Sequence, residues 1–309
     1  MQKLHIVITD STSPDIAIEQ GVLAPLNADV VFAHCRNEED VLAAGRDADA
    51  LLVQFAPITR KVISELTRCR IISRYGVGVD MIDLDAAKEH GIVVKYVPDY
   101  CVEEVASHTL CFLLTLSRKI FMLDRAMRKG LWNIDEIIRP VNRLVNQTLG
   151  LVGLGRIGRR VAQMAAPLGL RILGYDVKPP ADHGPVSFTD FETVVRESDF
   201  LSLHCPLTAG TRHSINAEVL NKMKPTAFLI NVSRGAVVDT AALVEALSRK
   251  QIAGAALDVF EQEPLPADHV LRNLENVVLT PHRAALSIQA RLQMRQETAQ
   301  HVVDFFQKQ

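Results

Sequence analysis

Short apolar runs, each followed by a stretch with apolar positions three or four residues apart, recur along nearly the whole chain. In the N-terminal part the runs near Leu4–Ile8, Asp29–Phe32, Ala50–Val53, Ile71–Ser73 and Val93–Lys95 predict strands. Helical patterns lie between them at Ser13–Leu23, Glu38–Gly45 and Thr59–Thr67, and Gly91 closes a further helix carrying Asp85–His90. One long helix is predicted from Val102 to Lys129, opened by Glu103 and Glu104 and closed by Gly130; it would span roughly 40 Å. A second set of strands follows at Thr148–Val152, Arg171–Tyr175, Phe200–Leu203, Ala227–Asn231, Ala253–Asp258 and Val277–Leu279, and the pattern over Ser287–Phe306 is helical again. Strand–helix alternation of this kind predicts an α/β molecule with doubly wound parallel sheets. The organisation expected is a first domain made of residues 1–99 plus 284–309, with a second, 100–283, inserted into it.

Within the inserted part, Thr148 to Asp176 reads as strand, glycine turn, helix, strand and acid. Gly153, Gly155 and Gly158 supply G-x-G-x-x-G between the run Leu149–Val152 and the amphipathic run Ile157–Leu168. The first glycine permits the tight turn, the second lets backbone N–H groups approach a pyrophosphate at a helix N-terminus, and the third lets helix and strand pack closely. Asp176 ends the next strand, 18 residues after Gly158. A carboxylate there accepts hydrogen bonds from an adenosine ribose and repels a 2′-phosphate, so the motif predicts a dinucleotide site for NAD rather than NADP.

Composition narrows the partners. The 309 residues carry a formal net charge of −2, which gives no electrostatic reason to expect nucleic acid or an acidic membrane surface. No apolar run approaches the roughly 20 residues needed to span a bilayer. The five cysteines, Cys35, Cys69, Cys101, Cys111 and Cys205, are scattered and odd in number, which suits a reducing, cytoplasmic setting. The ten histidines form no H-x-x-x-H or Cys/His cluster, so a metal site is not expected.

Three polar signatures sit at predicted strand ends, the sheet edge where ligands bind in open α/β folds. FLINVSRGAVVD places Arg234 just beyond a strand, GAALDVFEQEPLP places Asp258 at a strand end with Glu263 five residues on, and VVLTPHRAAL ends a strand at His282. A guanidinium binds a carboxylate and polarises the adjacent carbonyl. An imidazole exchanges the proton that accompanies a hydride, and a carboxylate bonded to it fixes its tautomer. Taken singly, each residue also has an ordinary reading: a helix-start arginine, a solvated loop acid, a histidine bonded to backbone.

These segments together resemble the D-isomer-specific 2-hydroxyacid dehydrogenases, the family of D-3-phosphoglycerate dehydrogenase and the glyoxylate and hydroxypyruvate reductases. The stretches carrying the resemblance are YGVGVDMID (75–83), VPDYCVEEVASHTL (97–110), LGLVGLGRIGRRVA (149–162), HCPLT (204–208), NVSRGAVVD (231–239), LDVFEQEPLP (257–266) and TPH (280–282), collinear over almost the whole chain. The resemblance implies a Rossmann cofactor domain inserted into a flavodoxin-like substrate domain, NAD as cofactor, a small 2-hydroxy or 2-keto acid as substrate, and a homodimer paired through the cofactor domain. It makes Arg234, Glu263 and His282 the substrate-orienting arginine, the histidine's partner and the acid/base. Asp258 would contact the nicotinamide amide. Arg156, Ile157, Thr109, His204, Pro206, Thr208, Val232 and Ser233 would line the cofactor, and Val77 and Gly78 would offer N–H groups to the substrate carboxylate. Arg74 stands where phosphoglycerate dehydrogenases carry an anion-binding arginine, and an arginine paired with a nearby acid is its other reading. Trp132 and Leu131 are read either as apolar interface contacts or as core.

The segment YVPDYCVEEVASHTLCFLL is also close to the C-terminal binding protein corepressors, which leaves an NAD(H)-sensing binding module as the alternative function. Those relatives carry tryptophan three residues after the histidine, where this chain has Ala285. Formate dehydrogenases use glutamine where Glu263 stands. Arg283 departs from the small or apolar residue usual after the histidine, and the C-terminal regulatory extension of many phosphoglycerate dehydrogenases is not expected.

Overall fold

The computed structural model describes residues 3–308, apart from the side chains of residues 136 and 137. Two compact units result: one takes the chain up to Cys101 and again from Ser287, and the other is Val102–Leu286. In the first, β1 (His5–Ile8), α1 (Ala17–Leu23), β2 (Asp29–Phe32), α2 (Glu38–Gly45), β3 (Ala50–Val53), α3 (Arg60–Glu65), β4 (Ile71–Arg74), α4 (Leu84–Glu89) and β5 (Val93–Tyr96) alternate along the chain. The five strands are parallel in the order β2-β1-β3-β4-β5, the flavodoxin-like order. Burial explains the apolar runs: ALLV of β3 and IISR of β4 are buried at every position, while the edge strand β2 alternates.

The second unit contains α5 (Val102–Ser117), α6 (Ile120–Arg128), α7 (Asp135–Ile138), β6 (Thr148–Val152), α8 (Arg156–Ala165), β7 (Arg171–Tyr175), β8 (Ser187–Phe188), α9 (Phe191–Glu197), β9 (Phe200–Leu203), α10 (Ala217–Lys222), β10 (Phe228–Asn231), α11 (Thr240–Ser248), β11 (Gly254–Leu257) and β12 (Val277–Leu279). Its seven parallel strands run β12-β11-β10-β9-β6-β7-β8. The order reverses at β6, so the turn after β6 opens at the switch point of a Rossmann sheet. The chain then returns to the first unit as α12 (Ile288–Gln307), capped by the Ser287 hydroxyl, which accepts from Ala290 N.

Helix α12 packs on α1 and β4, and a buried ion pair fixes it there. Arg295 Nε donates to Glu19 Oε1 at 2.8 Å and Nη2 to Glu19 Oε2 at 2.5 Å, with Tyr75 Oη on the same carboxylate at 3.2 Å. Both charged side chains are almost wholly buried. Their mutual bonding offsets a large desolvation cost, and losing either partner would strand a buried charge.

Three expectations change. The single helix over 102–129 is two helices, α5 and α6, separated by Lys119 with φ 51°. The Ser117 hydroxyl and the Arg118 N–H both turn back to Leu114 O, so α5 ends there, and Lys119 O then accepts from Met122 N and Leu123 N to start α6. The pattern over Ser13–Leu23 becomes helix only from Ala17, because Pro14 interrupts the start and the Asp15 carboxylate accepts from Ala17 N. Trp132 is 80% exposed and is therefore not core. Among the described residues no helix is long and apolar enough to cross a membrane.

Candidate active site

Six of the seven strands in the second unit deliver a polar or glycine segment at their carboxyl ends: Gly153 after β6, Asp176 after β7, His204 after β9, Ser233 and Arg234 after β10, Asp258 after β11 and His282 after β12. The glycine turn is shaped as the spacing requires. Gly153 has φ 96°, and a Cβ there would lie 2.6 Å from Cys205 N. A Cβ at Gly158 would lie 2.2 Å from Gly153 O, so helix and turn touch directly. At Gly155 a Cβ would meet nothing within 4 Å, and this residue caps α8 with no side-chain cap hydrogen bond. Fold packing thus explains the first and third glycines. The second leaves an open cradle at a helix N-terminus, the arrangement an anionic pyrophosphate needs.

His204 lies against this turn. Burial pushes its imidazole down to about 4, its Nε2 meets Ser202 Oγ at 2.9 Å, and its buried Nδ1 has no hydrogen-bond partner in the protein. It is therefore neutral at physiological pH. The neighbouring Cys205 thiol is pushed up to about 11, chiefly by burial, so it offers no thiolate. Thr208 and Thr211 close the following loop on itself through mutual hydroxyl and backbone bonds, with Thr211 Oγ1 also reaching Pro206 O.

Arg234 is held from below. The buried Asn231 side chain accepts from Ser233 N and Oγ and donates to Arg234 O. Gly235 then passes so close to the next loop that a Cβ would sit 1.8 Å from the carbonyl carbon of Phe260. That approach brings the arginine segment beside the loop bearing Glu263. Glu263 Oε2 accepts from His282 Nδ1 at 2.6 Å and Oε1 accepts from Phe260 N at 2.9 Å. Burial alone would raise the Glu263 carboxyl; the His282 bond and charge, the Phe260 N–H and the Arg234 charge outweigh it and hold it below the ordinary range. Because the folded value is the lower one, this pairing stabilises the fold fully above the ordinary carboxylate value and is lost as pH falls through the depressed one. A second pair, His213 Nε2 to Glu261 Oε1 at 2.5 Å, anchors the same loop, with Glu261 Oε2 accepting from Thr240 N.

His282 adopts a left-handed backbone, φ 53°. Asp258, 1% exposed, enforces it: its carbonyl accepts from His282 N, Oδ1 accepts from Thr280 Oγ1 and Arg283 N, and Oδ2 accepts from Ala284 N. Since the Thr280 hydroxyl proton goes to Asp258, its oxygen accepts from His108 Nε2 at 3.1 Å. His108, from α5, escaped the sequence reading, as did the His213–Glu261 pair. The adjacent Thr109, expected beside the cofactor, is fully buried with its hydroxyl on Val105 O, so it presents no surface to a ligand. In the first unit, Arg74 is buried and its guanidinium lies against Gly76, where a Cβ would fall 1.9 Å from Nη1. Val77 and Gly78 follow on that turn, with Val77 37% exposed.

The family model described as D-isomer specific 2-hydroxyacid dehydrogenase, NAD binding domain, matches residues 110–284. The chain belongs to this family. This dehydrogenase is 42% identical over 279 residues to the glyoxylate reductase of Thermofilum pendens, covering 86% of this chain and 81% of that protein. It is 39% identical over 272 residues to the D-3-phosphoglycerate dehydrogenase of Synechocystis sp., covering 87% of this chain but 49% of that protein. Among solved structures, the D-lactate dehydrogenase of Aquifex aeolicus complexed with NAD and lactic acid superposes with a TM-score of 0.87 at 32% identity, over 98% of this chain and 96% of the other. The enzyme is an NAD-dependent oxidoreductase, and its parallel-sheet fold is the one expected.

Asp176 closes the glycine turn of this dehydrogenase: Oδ2 accepts from Leu154 N at 2.7 Å and Oδ1 from Lys178 N at 2.8 Å. The carboxylate is half-buried with lone pairs remaining. Asp176→Asn removes the charge and keeps the size. The kcat/KM ratio for NADPH over NADH should rise by roughly tenfold or more. An unchanged ratio would remove Asp176 from cofactor discrimination.

Proposed function

We propose that this dehydrogenase reduces a small 2-keto acid of the glyoxylate or hydroxypyruvate class to the D-2-hydroxy acid, with His282 as acid/base, Arg234 as carboxylate clamp and Glu263 as the histidine's partner. The observation that carries this reading is the 2.6 Å bond between His282 Nδ1 and Glu263 Oε2. It leaves Nε2 as the imidazole atom able to give a proton to a carbonyl oxygen. The nicotinamide supplies the hydride. Arg234 binds the substrate carboxylate through its planar fork and draws electron density from the neighbouring keto carbon. His282 Nε2–H protonates the developing alkoxide, and the ionised Glu263 stabilises the imidazolium before transfer and fixes the tautomer after it. In the oxidative direction the neutral imidazole takes the proton back.

Asp258 is assigned first to the turn that shapes His282, and a nicotinamide amide can share its remaining acceptor capacity. The glycine turn, Arg156, Ile157, the His204–Thr208 loop, Val232 and Ser233 are assigned to the cofactor. The discontinuous unit is assigned the substrate role, with Val77 and Gly78 N–H groups on the carboxylate. A small side chain is favoured over a phosphorylated one because the relatives named glyoxylate reductase match over most of their length. The NAD(H)-sensing alternative finds no support in this geometry, since a sensor has no use for an imidazole–carboxylate pair. A cytoplasmic homodimer, with the exposed Trp132 and Leu131 in the interface, completes the proposal.

NADH consumption against glyoxylate, hydroxypyruvate, phosphohydroxypyruvate, pyruvate and 2-oxoglutarate tests the reading. The highest kcat/KM is expected for glyoxylate or hydroxypyruvate, and dominance of phosphohydroxypyruvate would overturn the substrate assignment. For Glu263→Gln, reduction should slow by roughly 10–100-fold at neutral and alkaline pH, and by less at acidic pH where solution protonates the imidazole. Equal loss at every pH would count against the pairing role.

A further inference from the structure

The bonds around Asp258 leave one direction open to a ligand. Its side chain is almost wholly buried, so its oxygens depend on donors built into the protein. Oδ1 takes two, the Thr280 hydroxyl at 2.5 Å and Arg283 N at 2.8 Å, and Oδ2 takes Ala284 N at 2.9 Å. Each carboxylate oxygen accepts in two directions. The direction that remains is on Oδ2, and a nicotinamide amide N–H can fill it.

Thr280 is the adjustable part of this arrangement. A hydroxyl has one proton and turns about its own bond to carbon, so nothing within the threonine aims it at Asp258. The aim comes from α5. His108 Nε2 lies 3.1 Å from Thr280 Oγ1 and 4.0 Å from Asp258 Oδ1, so the threonine oxygen is the atom within hydrogen-bond reach. When the imidazole donates to that oxygen, the hydroxyl proton is left pointing at the carboxylate. The imidazole is held in turn by the buried Phe112 ring, one helical turn on, at 4.5 Å and 72°, edge to face. Without the imidazole the hydroxyl is free to turn away. A buried carboxylate that loses a donor then shifts to recover one, and the direction of Oδ2 shifts with it.

We propose that His108 is a positioning residue for the cofactor: through Thr280 it keeps Asp258 fully bonded on Oδ1 and so directs Oδ2 at the nicotinamide amide. This rests on the assignment of Asp258 to that amide.

The test compares calorimetric binding of two reduced cofactors to the full-length enzyme: NADH and its 3-acetylpyridine analogue, which carries a methyl ketone in place of the amide and has no N–H to give. The parent should bind NADH more tightly. His108→Leu, which keeps an apolar contact with Phe112, should weaken NADH by roughly fivefold or more and leave the analogue within about twofold. His108→Gln places an N–H donor the same number of bonds from Cβ and should restore most of the preference. Thr280→Val should lose the preference as well, and adding His108→Leu to it should cost nothing further, since the histidine acts through the hydroxyl. A histidine that only supports the fold would lower the melting temperature and weaken both cofactors alike. That result, an undiminished preference in His108→Leu, or additive losses in the double variant would overturn the proposal and leave the Asp258 assignment standing. Equal binding of the two cofactors by the parent would overturn the assignment and the proposal with it.

Discussion

His282→Ala is expected to lower kcat for keto-acid reduction by roughly 10³-fold while NADH affinity stays within about twofold, because the cofactor's phosphates belong to the glycine turn. Two effects are combined in that variant: loss of the proton donor and placement of alanine at φ 53°, which is unfavourable for a residue with a Cβ and no side chain able to compensate. His282→Asn separates them. Asparagine accepts the left-handed conformation and cannot act as an acid, so it should fold like the parent and be nearly as inactive as the alanine variant. Stopped-flow NADH binding with steady-state turnover on both variants checks this. Loss of NADH binding in step with turnover, or an active asparagine variant, would remove His282 from the chemistry.

The second large effect is expected at Arg234. Arg234→Gln should reduce kcat/KM for the preferred keto acid by roughly 10²–10³-fold, the scale of losing charge-assisted hydrogen bonds to a carboxylate. Arg234→Lys should recover only part of it, since an ammonium restores the charge and not the planar fork. The loop should survive either change, because Asn231 holds it through the Arg234 carbonyl and Ser233, and the guanidinium adds there only the bond from Nη1 to the adjacent Ser233 O. Equal melting temperatures with collapsed kcat/KM are the expected pair of results. A lysine variant as active as the parent would show that only the charge matters.

What could be read from the chain follows from where its side chains go. Strands buried on both faces, such as β4 and β6, have no polar alternation and appear as apolar runs. β8 did not, because Ser187 and Phe188 form two residues of edge strand with one position exposed. The glycine turn was legible from its spacing and its flanking elements, although only Gly158 meets its own turn, while Gly153 meets the backbone of His204 and Cys205. The break between α5 and α6 was not, because Lys119 carries none of the usual marks of a left-handed residue. His108 was invisible for a different reason. Its partner Thr280 is 172 positions away, and one polar residue on a helix does not announce what it faces. Thr109 shows the converse: a resemblance placed it by the cofactor, yet its hydroxyl bonds one turn back along its own helix.

The Arg295–Glu19 clamp has a consequence for synthesis. Every strand of the first unit lies before Cys101, but Glu19 finds its counter-charge only when the last helix has been made. The inserted unit is complete in sequence by Leu286, before α12 is made. The first-made sheet must wait, with an acidic group awaiting burial, until α12 has followed the inserted unit. In this chain the order of manufacture and the order of completion are reversed.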